Sequence, residues 1–358
     1  MKPLLALFAL AAPLVFAQSP APAAKHWPWD MRPNKCLAYG GHALPGTQCA
    51  EAPPWPTYSI ALEHVRMLFA NPDFDLVQRA EDDLAYSNAQ FESGDYFFEA
   101  WIQGMNGGLR QPVEQAQAII QSWKDAKGDD GFAAVAEAML WGRRAWAARG
   151  SGFASTVAPE AWELFRKNLG KAMAALDAAS PKVRKSGAWC QLKATYAFQA
   201  SNPREGEKLV AEAAKHWPDS VDIARLPMEF AQPKWGGSFE AMDEAARTAT
   251  RRAKRLGKGM YPLLYSLASW DQGRYTLADT KADWTLMKEG FRVLEPQLAA
   301  PATWHEFAQF ACQMHDREEA KRLYAVRDAK RAADPNGRDS FDDDSDACRT
   351  YAFGAKDA

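Results

Sequence analysis

The chain has 358 residues, of which 25% are charged and 47% hydrophobic, with a formal net charge of −2 at pH 7. That balance supports a globular protein with a real core. It excludes the strongly basic character that draws a chain to nucleic acid or anionic membrane. Fourteen tryptophans is a high count, and tryptophan suits both cores and binding surfaces because it buries a large area at small rotamer cost.

In chain order, Met1, Lys2 and Pro3 precede an apolar run from Leu4 to Ala17. One positive charge stands before the run and none inside it, and it ends in small or apolar residues before Gln18-Ser19-Pro20. This is the layout of a secretory signal peptide cleaved after Ala17. The run falls short of the ~20 apolar residues a membrane-spanning helix needs, and no later stretch reaches that length. The expected localisation is periplasmic or secreted. Disulfides are therefore permitted among the five cysteines, Cys36, Cys49, Cys190, Cys312 and Cys348.

Residues 18–56 read as an extended arm. Pro20, Pro22, Pro28, Pro33, Pro45, Pro53, Pro54 and Pro56 exclude a long helix there, and Trp27, Trp29 and Trp55 lie among them. Cys36 and Cys49 flank a Gly/Pro-rich stretch, so a bond between them is expected. Closing that loop stabilises by ~3 kcal/mol in the chain-entropy picture.

From Tyr58 the period changes. Ile60, Leu62, Val65, Leu68 and Phe69 recur at helical steps, Asn71-Pro72-Asp73 breaks the run, and Phe74, Leu76, Val77, Ala80 and Leu84 form the next apolar face. Further helices are predicted over 112–127, 131–149, 159–179, 183–200, 203–216, 220–230, 239–256, 261–270, 282–294, 301–314 and 317–333. Helices of this length cannot bury an apolar stripe alone, and stacking as hairpins solves this. Trp189, Leu192 and Tyr196 followed by Gly206, Val210, Ala213 and Pro218 fit a tetratricopeptide pair. Trp304, Phe307, Ala308 and Ala311 followed by Ala320 and Tyr324 fit another. No strict period spans the chain. The fold class is all-α: an irregular tetratricopeptide-like array of antiparallel helix pairs over 57–333, with the Pro-rich arm before it. An acidic tail over 334–358, containing Asp339, Asp342, Asp343, Asp344 and Asp346, reads as solvated and partly neutralised by the preceding basic helix.

Candidate sites are few. His305-Glu306 begins like a zinc-peptidase helix, but Gln309 stands where the second histidine belongs. His305, Gln309, Cys312 and Asp316 are thus expected to pack rather than bind metal. Asp334 and Asn336 open a calcium-loop pattern that Arg338 breaks. Glu92, Asp95 and Glu99 beside Trp101 offer paired carboxylates near an aromatic platform, the arrangement that cleaves a glycosidic bond. The basic stretch Arg247, Arg251, Arg252, Lys254, Arg255 and Lys258 lacks the interleaved aromatics of a nucleic-acid surface and reads as a solvated face. Cys312 and Cys348 are open to a second pairing, and Cys190 is expected to be a buried free thiol. No cofactor motif occurs.

Two segments are more distinctive. One runs Ala147-Ala148-Arg149-Gly150-Ser151-Gly152-Phe153-Ala154-Ser155-Thr156-Val157, followed by Trp162 and Phe165. The other is Pro233-Lys234-Trp235-Gly236-Gly237-Ser238. With the helix pairs around them, over roughly Phe74 to Ala333, they resemble the bacterial family called domain of unknown function 4034. The resemblance implies a tetratricopeptide-like fold and brings no activity, substrate or cofactor. Physically, Ser238 is placed to cap a helix starting at Phe239, Gly236 and Gly237 permit the sharp entry, and Trp235 can cover the junction. Gly150 and Gly152 end the preceding helix. The other reading makes Gly236, Gly237 and Ser238 an anion-accepting helix start. The function expected from all this is a non-enzymatic exported scaffold that binds a protein or peptide on its helical surface. The alternative is an envelope carbohydrate hydrolase or lyase using Asp95 and Glu99 on a helical toroid.

Overall fold

The computed structural model describes residues 57–354 except 71, 92, 129, 153, 268–274 and 334–345, together with two short antiparallel strands, Leu37–Ala38 and His42–Ala43. The signal segment 1–17, the rest of the arm, the Cys36–Cys49 pairing, Glu92 and the acidic run 339–344 lie outside the described residues.

Among the described residues fifteen α-helices follow one another: α1 Tyr58–Leu68, α2 Phe74–Ala80, α3 Phe97–Gly108, α4 Val113–Lys127, α5 Phe132–Arg149, α6 Pro159–Ala178, α7 Gly187–Gln199, α8 Pro203–His216, α9 Val221–Phe230, α10 Phe239–Arg252, α11 Met260–Leu267, α12 Trp284–Leu294, α13 Pro301–Gln313, α14 Arg317–Ala333 and α15 Ala347–Phe353. Their starts follow local chemistry. Asp73, Ser186, Asn202, Ser220, Ser238, Asp283 and Asp346 each accept a hydrogen bond from a first-turn amide of the helix they precede. Such a cap satisfies an orphan donor and contributes about 1 kcal/mol.

The helices pack as an irregular tetratricopeptide-like array. α5 pairs with α6, α7 with α8 and α13 with α14, while α3, α5, α7, α9, α11 and α13 touch in succession as one row. α4, α6, α8, α10 and α12 each lie against a member of that row. Every extensive helix–helix contact joins helices within four of each other in chain order. The hairpin prediction holds in detail at Gly206, where an added Cβ would stand 2.6 Å from the Phe198 ring. The apolar interior has two clusters, one from Ala61 to Leu226 and one from Met228 to Ala352. The boundary falls inside α9, beside its internal Pro227.

Two helices were not foreseen. α3 contains Gly104, Gly107 and Gly108, which weaken helix propensity. They persist because α3 crosses α1 closely: a Cβ on Gly104 would lie 2.6 Å from the Leu62 carbonyl oxygen, and one on Gly108 2.6 Å from that of Arg66. α15 occupies part of the stretch read as a solvated tail. Its Cys348 and Ala352 are buried against α13 and α14. Cys312 and Cys348 form a disulfide there, with Cα atoms 5.8 Å apart. Cys190 is a free, half-buried thiol, pushed up to about 11 by burial.

Candidate functional site

The two distinctive segments are far apart in the chain, and Trp146, the residue just before the first, meets Trp235 of the second. α5 ends at Gly150, whose φ of +76° is the left-handed region glycine tolerates. The last residue of α5, Arg149, turns back over its own loop, and its Nη1 donates to the carbonyls of Gly150 and Gly152 at 3.0 Å each. Its guanidinium carbon lies 5.2 Å from the Trp146 ring centroid and 5.0 Å from that of Trp162, at the start of α6. The cation is thus set between two indoles, an arrangement worth roughly 1–2 kcal/mol per partner when desolvated. Phe165 closes the base, edge-on to Trp146 at 5.3 Å and to Trp162 at 5.6 Å.

The second segment completes the cluster. Pro233–Trp235 makes a single tight turn after α9, and Gly236 follows at φ +87°. Gly237 admits no side chain, since a Cβ would lie 2.0 Å from the Ala231 carbonyl oxygen. Ser238 Oγ then accepts from Ala241 N at 3.1 Å, so the capping role is the one observed. This entry aims Trp235 at Trp146, with centroids 6.0 Å apart, and at Phe230 at 5.8 Å. Phe230 in turn stacks on Phe198 of α7 at 5.2 Å. Arg149 is only 9% exposed, Trp146 and Trp162 are half-buried, and Trp235 is 38% exposed. The arginine's Nε is buried and has no hydrogen-bond partner.

The carboxylates of the alternative site separate. Asp95 is exposed and accepts from Ser93 Oγ at 2.7 Å. Glu99 is 4% exposed, in the first turn of α3. One of its oxygens accepts from Tyr96 N at 2.7 Å and the other from Ser220 Oγ at 2.5 Å. Ser220 caps α9, so Glu99 joins the starts of two helices. Burial, reinforced by the nearby charge of Asp222, pushes Glu99 up to about 8. Trp101, expected as an aromatic platform, is fully buried in the core against Phe69, Trp123 and Phe132.

The remaining candidates have structural partners. Gln309 Nε2 lies 3.3 Å from His305 Nε2 and donates to Asp346 Oδ1 at 3.0 Å; His305 Nδ1 is 3.7 Å from Asp346 Oδ2. Cys312 is in the disulfide. Asp316 accepts from Trp284 Nε1 at 2.9 Å and Lys288 Nζ at 3.0 Å, and it caps α14 through Glu319 N. In the basic stretch, Arg247 pairs with Asp243 and Asp283, Arg251 with Glu244, and Lys258 with Glu289. Arg247, Arg251 and Lys258 line an open hollow of about 360 Å³, and its cations are thus already compensated. The backbone amides of Lys254, Arg255 and Leu256 all donate to the carboxylate of Asp219, an internal anion that fastens the α8–α9 turn to the chain after α10. No spacing announced that contact, because its donors are main-chain groups.

No family profile, curated protein or solved structure matches this chain. Among the described residues no helix is long and apolar enough to cross a membrane.

Proposed function

We propose that the protein is an exported, non-enzymatic scaffold that receives a protein or peptide partner on its helical surface, with Trp235 at the centre of the contact. It would belong with the domain of unknown function 4034 proteins. The carrying observation is that Trp146, beside the first segment, and Trp235, in the second, join one aromatic cluster that leaves a large indole partly open to solvent. Buried tryptophans serve this core elsewhere: Trp101, Trp123 and Trp304 are all fully enclosed. An indole held rigid and partly exposed is the kind of anchor that dominates protein interfaces. The Cys312–Cys348 bond supports export, since such bonds persist in oxidising compartments. The hydrolase or lyase reading is the weaker one, because both oxygens of Glu99 are occupied and its carboxyl is enclosed.

The test is site-specific photo-crosslinking. A crosslinker at Lys234, which is exposed beside Trp235, is introduced into the mature protein and irradiated in an envelope extract. A discrete adduct that disappears with Trp235→Ala supports the reading. An adduct unchanged by that substitution, or none across repeated trials, counts against it.

A further inference from the structure

α15 is seven residues long, and an isolated helix of that length does not hold its shape in water. Its order depends on what it touches. Apolar burial contributes little, since only Cys348 and Ala352 of its residues are buried. Most of the other attachments are polar. Asp346, which caps α15, accepts from Gln309 Nε2 at 3.0 Å and from Tyr324 Oη. Arg317 Nε donates to the Ala352 carbonyl at 2.9 Å, Tyr351 Oη to that of His315 at 3.1 Å, and Arg349 pairs with Asp328 at 3.1 Å. Contacts of this kind are exchanged for water at small net cost. The remaining tie is covalent: the Cys312–Cys348 bond joins α15 to α13. Beneath the helix lies a packed face. Tyr324 is fully enclosed, its ring 6.1 Å from that of Phe353 and 5.3 Å from the Arg349 guanidinium carbon. The two cysteines differ in access: Cys348 is 7% exposed, whereas Cys312 is only half-buried.

We infer that the Cys312–Cys348 bond is a redox latch: a dithiol of the Cys-x-x-Cys kind opens it, α15 detaches, and the end face of the α13–α14 pair is uncovered while the array before it stays folded. The thiolate of the dithiol attacks Cys312 Sγ, on the more open cysteine. The bond to Cys348 Sγ breaks, and Cys348 leaves as a thiolate that takes a proton from water. The second thiol of the reductant, deprotonated in turn, attacks the reductant's own sulfur in the mixed disulfide and frees Cys312 in the same way. The dithiol loses two electrons and becomes a disulfide, and the chain gains two thiols. The extensive contacts of α15 are with α13 and α14 alone. In an array held together by neighbour-to-neighbour packing, the loss therefore stops at the last pair. The latch is independent of any partner at Trp235.

The experiment follows hydrogen exchange by mass spectrometry on the full mature chain, oxidised and then treated with dithiothreitol, with thiol alkylation reporting whether the bond has opened. A chain carrying Cys36→Ser, Cys49→Ser and Cys190→Ser is measured beside it, so that Cys312 and Cys348 are its only cysteines. Reduction is expected to speed exchange over 346–354 by about a hundredfold, to speed it by a smaller factor around Tyr324, and to leave α3 to α9 within about twofold. Removing the dithiol and adding oxidised glutathione should restore protection. Cys348→Ser should exchange as the reduced chain does and ignore dithiothreitol. If the serine variants do not fold, the oxidised and reduced forms of the unaltered chain decide. Protection over 346–354 that survives reduction overturns the latch, because other contacts then suffice to hold α15. So does a bond that resists dithiothreitol in the folded protein, or exchange over α3 to α9 that rises in step with that of α15.

Discussion

The crossing of α1 and α3 makes the sharpest stability prediction, because three glycines within five residues of one helix should respond in opposite directions. Replacing a helical glycine by alanine restricts the unfolded chain and stabilises by about 1 kcal/mol where the new methyl meets nothing. At Gly104 the new Cβ meets the Leu62 carbonyl oxygen at 2.6 Å and Val65 Cβ at 2.6 Å; at Gly108 it meets the Arg66 carbonyl oxygen at 2.6 Å and Phe69 Cβ at 2.7 Å. Those atoms belong to a packed helix and cannot rotate away. The overpacking cost should therefore sit near the upper end of the usual range, about 3 kcal/mol, and the net loss is about 2 kcal/mol for Gly104→Ala and for Gly108→Ala. Gly107 differs. Its Cβ would meet only the Arg66 side chain, at 3.2 Å, and that chain is exposed and held by a surface pair with Glu63 rather than by packing. Gly107→Ala should thus gain about 0.5–1 kcal/mol. The double variant Gly104→Ala with Gly108→Ala should lose less than the sum, since one outward movement of α1 relieves both clashes. Urea unfolding followed by helix signal and by tryptophan emission measures all four proteins. The reasoning is refuted if Gly104→Ala unfolds at the same urea concentration as Gly107→Ala, or at a higher one.

Two other perturbations have definite signs. Glu99 is pushed up to about 8 and Glu81 up to about 7, both chiefly by burial, so the folded protein binds protons that the unfolded chain releases. Their contribution is most favourable below the ordinary glutamate range and is lost as pH rises from about 4.5 towards 8, by at most about 1.4 kcal/mol per pH unit for each group. Glu99→Gln should flatten the fall in stability between pH 5 and 8; an unchanged pH slope in unfolding measurements speaks against the assignment. The Cys312–Cys348 bond spans 36 residues of sequence, so Cys348→Ser should cost about 4 kcal/mol by loop entropy. Because that cost falls on the last turns of the chain, hydrogen exchange should accelerate first over 346–354, and uniform acceleration across α5 to α9 would contradict it.

Most helices could be read from the sequence because each is an apolar stripe closed by glycine, proline or a capping side chain. Ser238 shows the local case: its hydroxyl, the following Phe239 and the two glycines before it specify a helix start without reference to the rest of the fold. α3 shows the opposite. Its glycines argue against helix locally and are required only by α1, which lies one hairpin away. The role of Glu99 was obscured for a related reason. It stands three residues after Tyr96 and accepts that residue's amide, the reciprocal half of a capping box. The residue before α3 is tyrosine rather than serine or threonine, so the signature was incomplete. The Arg149 and Trp235 segments stood out as motifs, but nothing in either indicates that Trp146, beside the first, touches Trp235. That contact depends on how α5, α6 and α9 stack, and stacking is fixed by surfaces summed over whole helices.

The position of the aromatic cluster bears on what it does. α9 spans the boundary between the two apolar clusters, with Leu226 in one and Met228 in the other. The turn that carries Trp235 is the first structure after that boundary, and Trp146 belongs to α5, well inside the first cluster. The Trp146–Trp235 contact fastens the turn after α9 back onto α5, and a purely structural account of both segments is available. Burial separates that account from a binding one. A residue whose whole purpose is to join two packed units is most effective when enclosed, as Trp123 is between Phe69 and Phe74. Trp235 instead keeps 38% of its surface open while its neighbours hold its position. The two roles also respond differently to Trp235→Ala. A joint loses unfolding free energy in both halves, whereas an anchor loses partner affinity by far more than it loses stability. Measuring the two quantities on one variant ranks them.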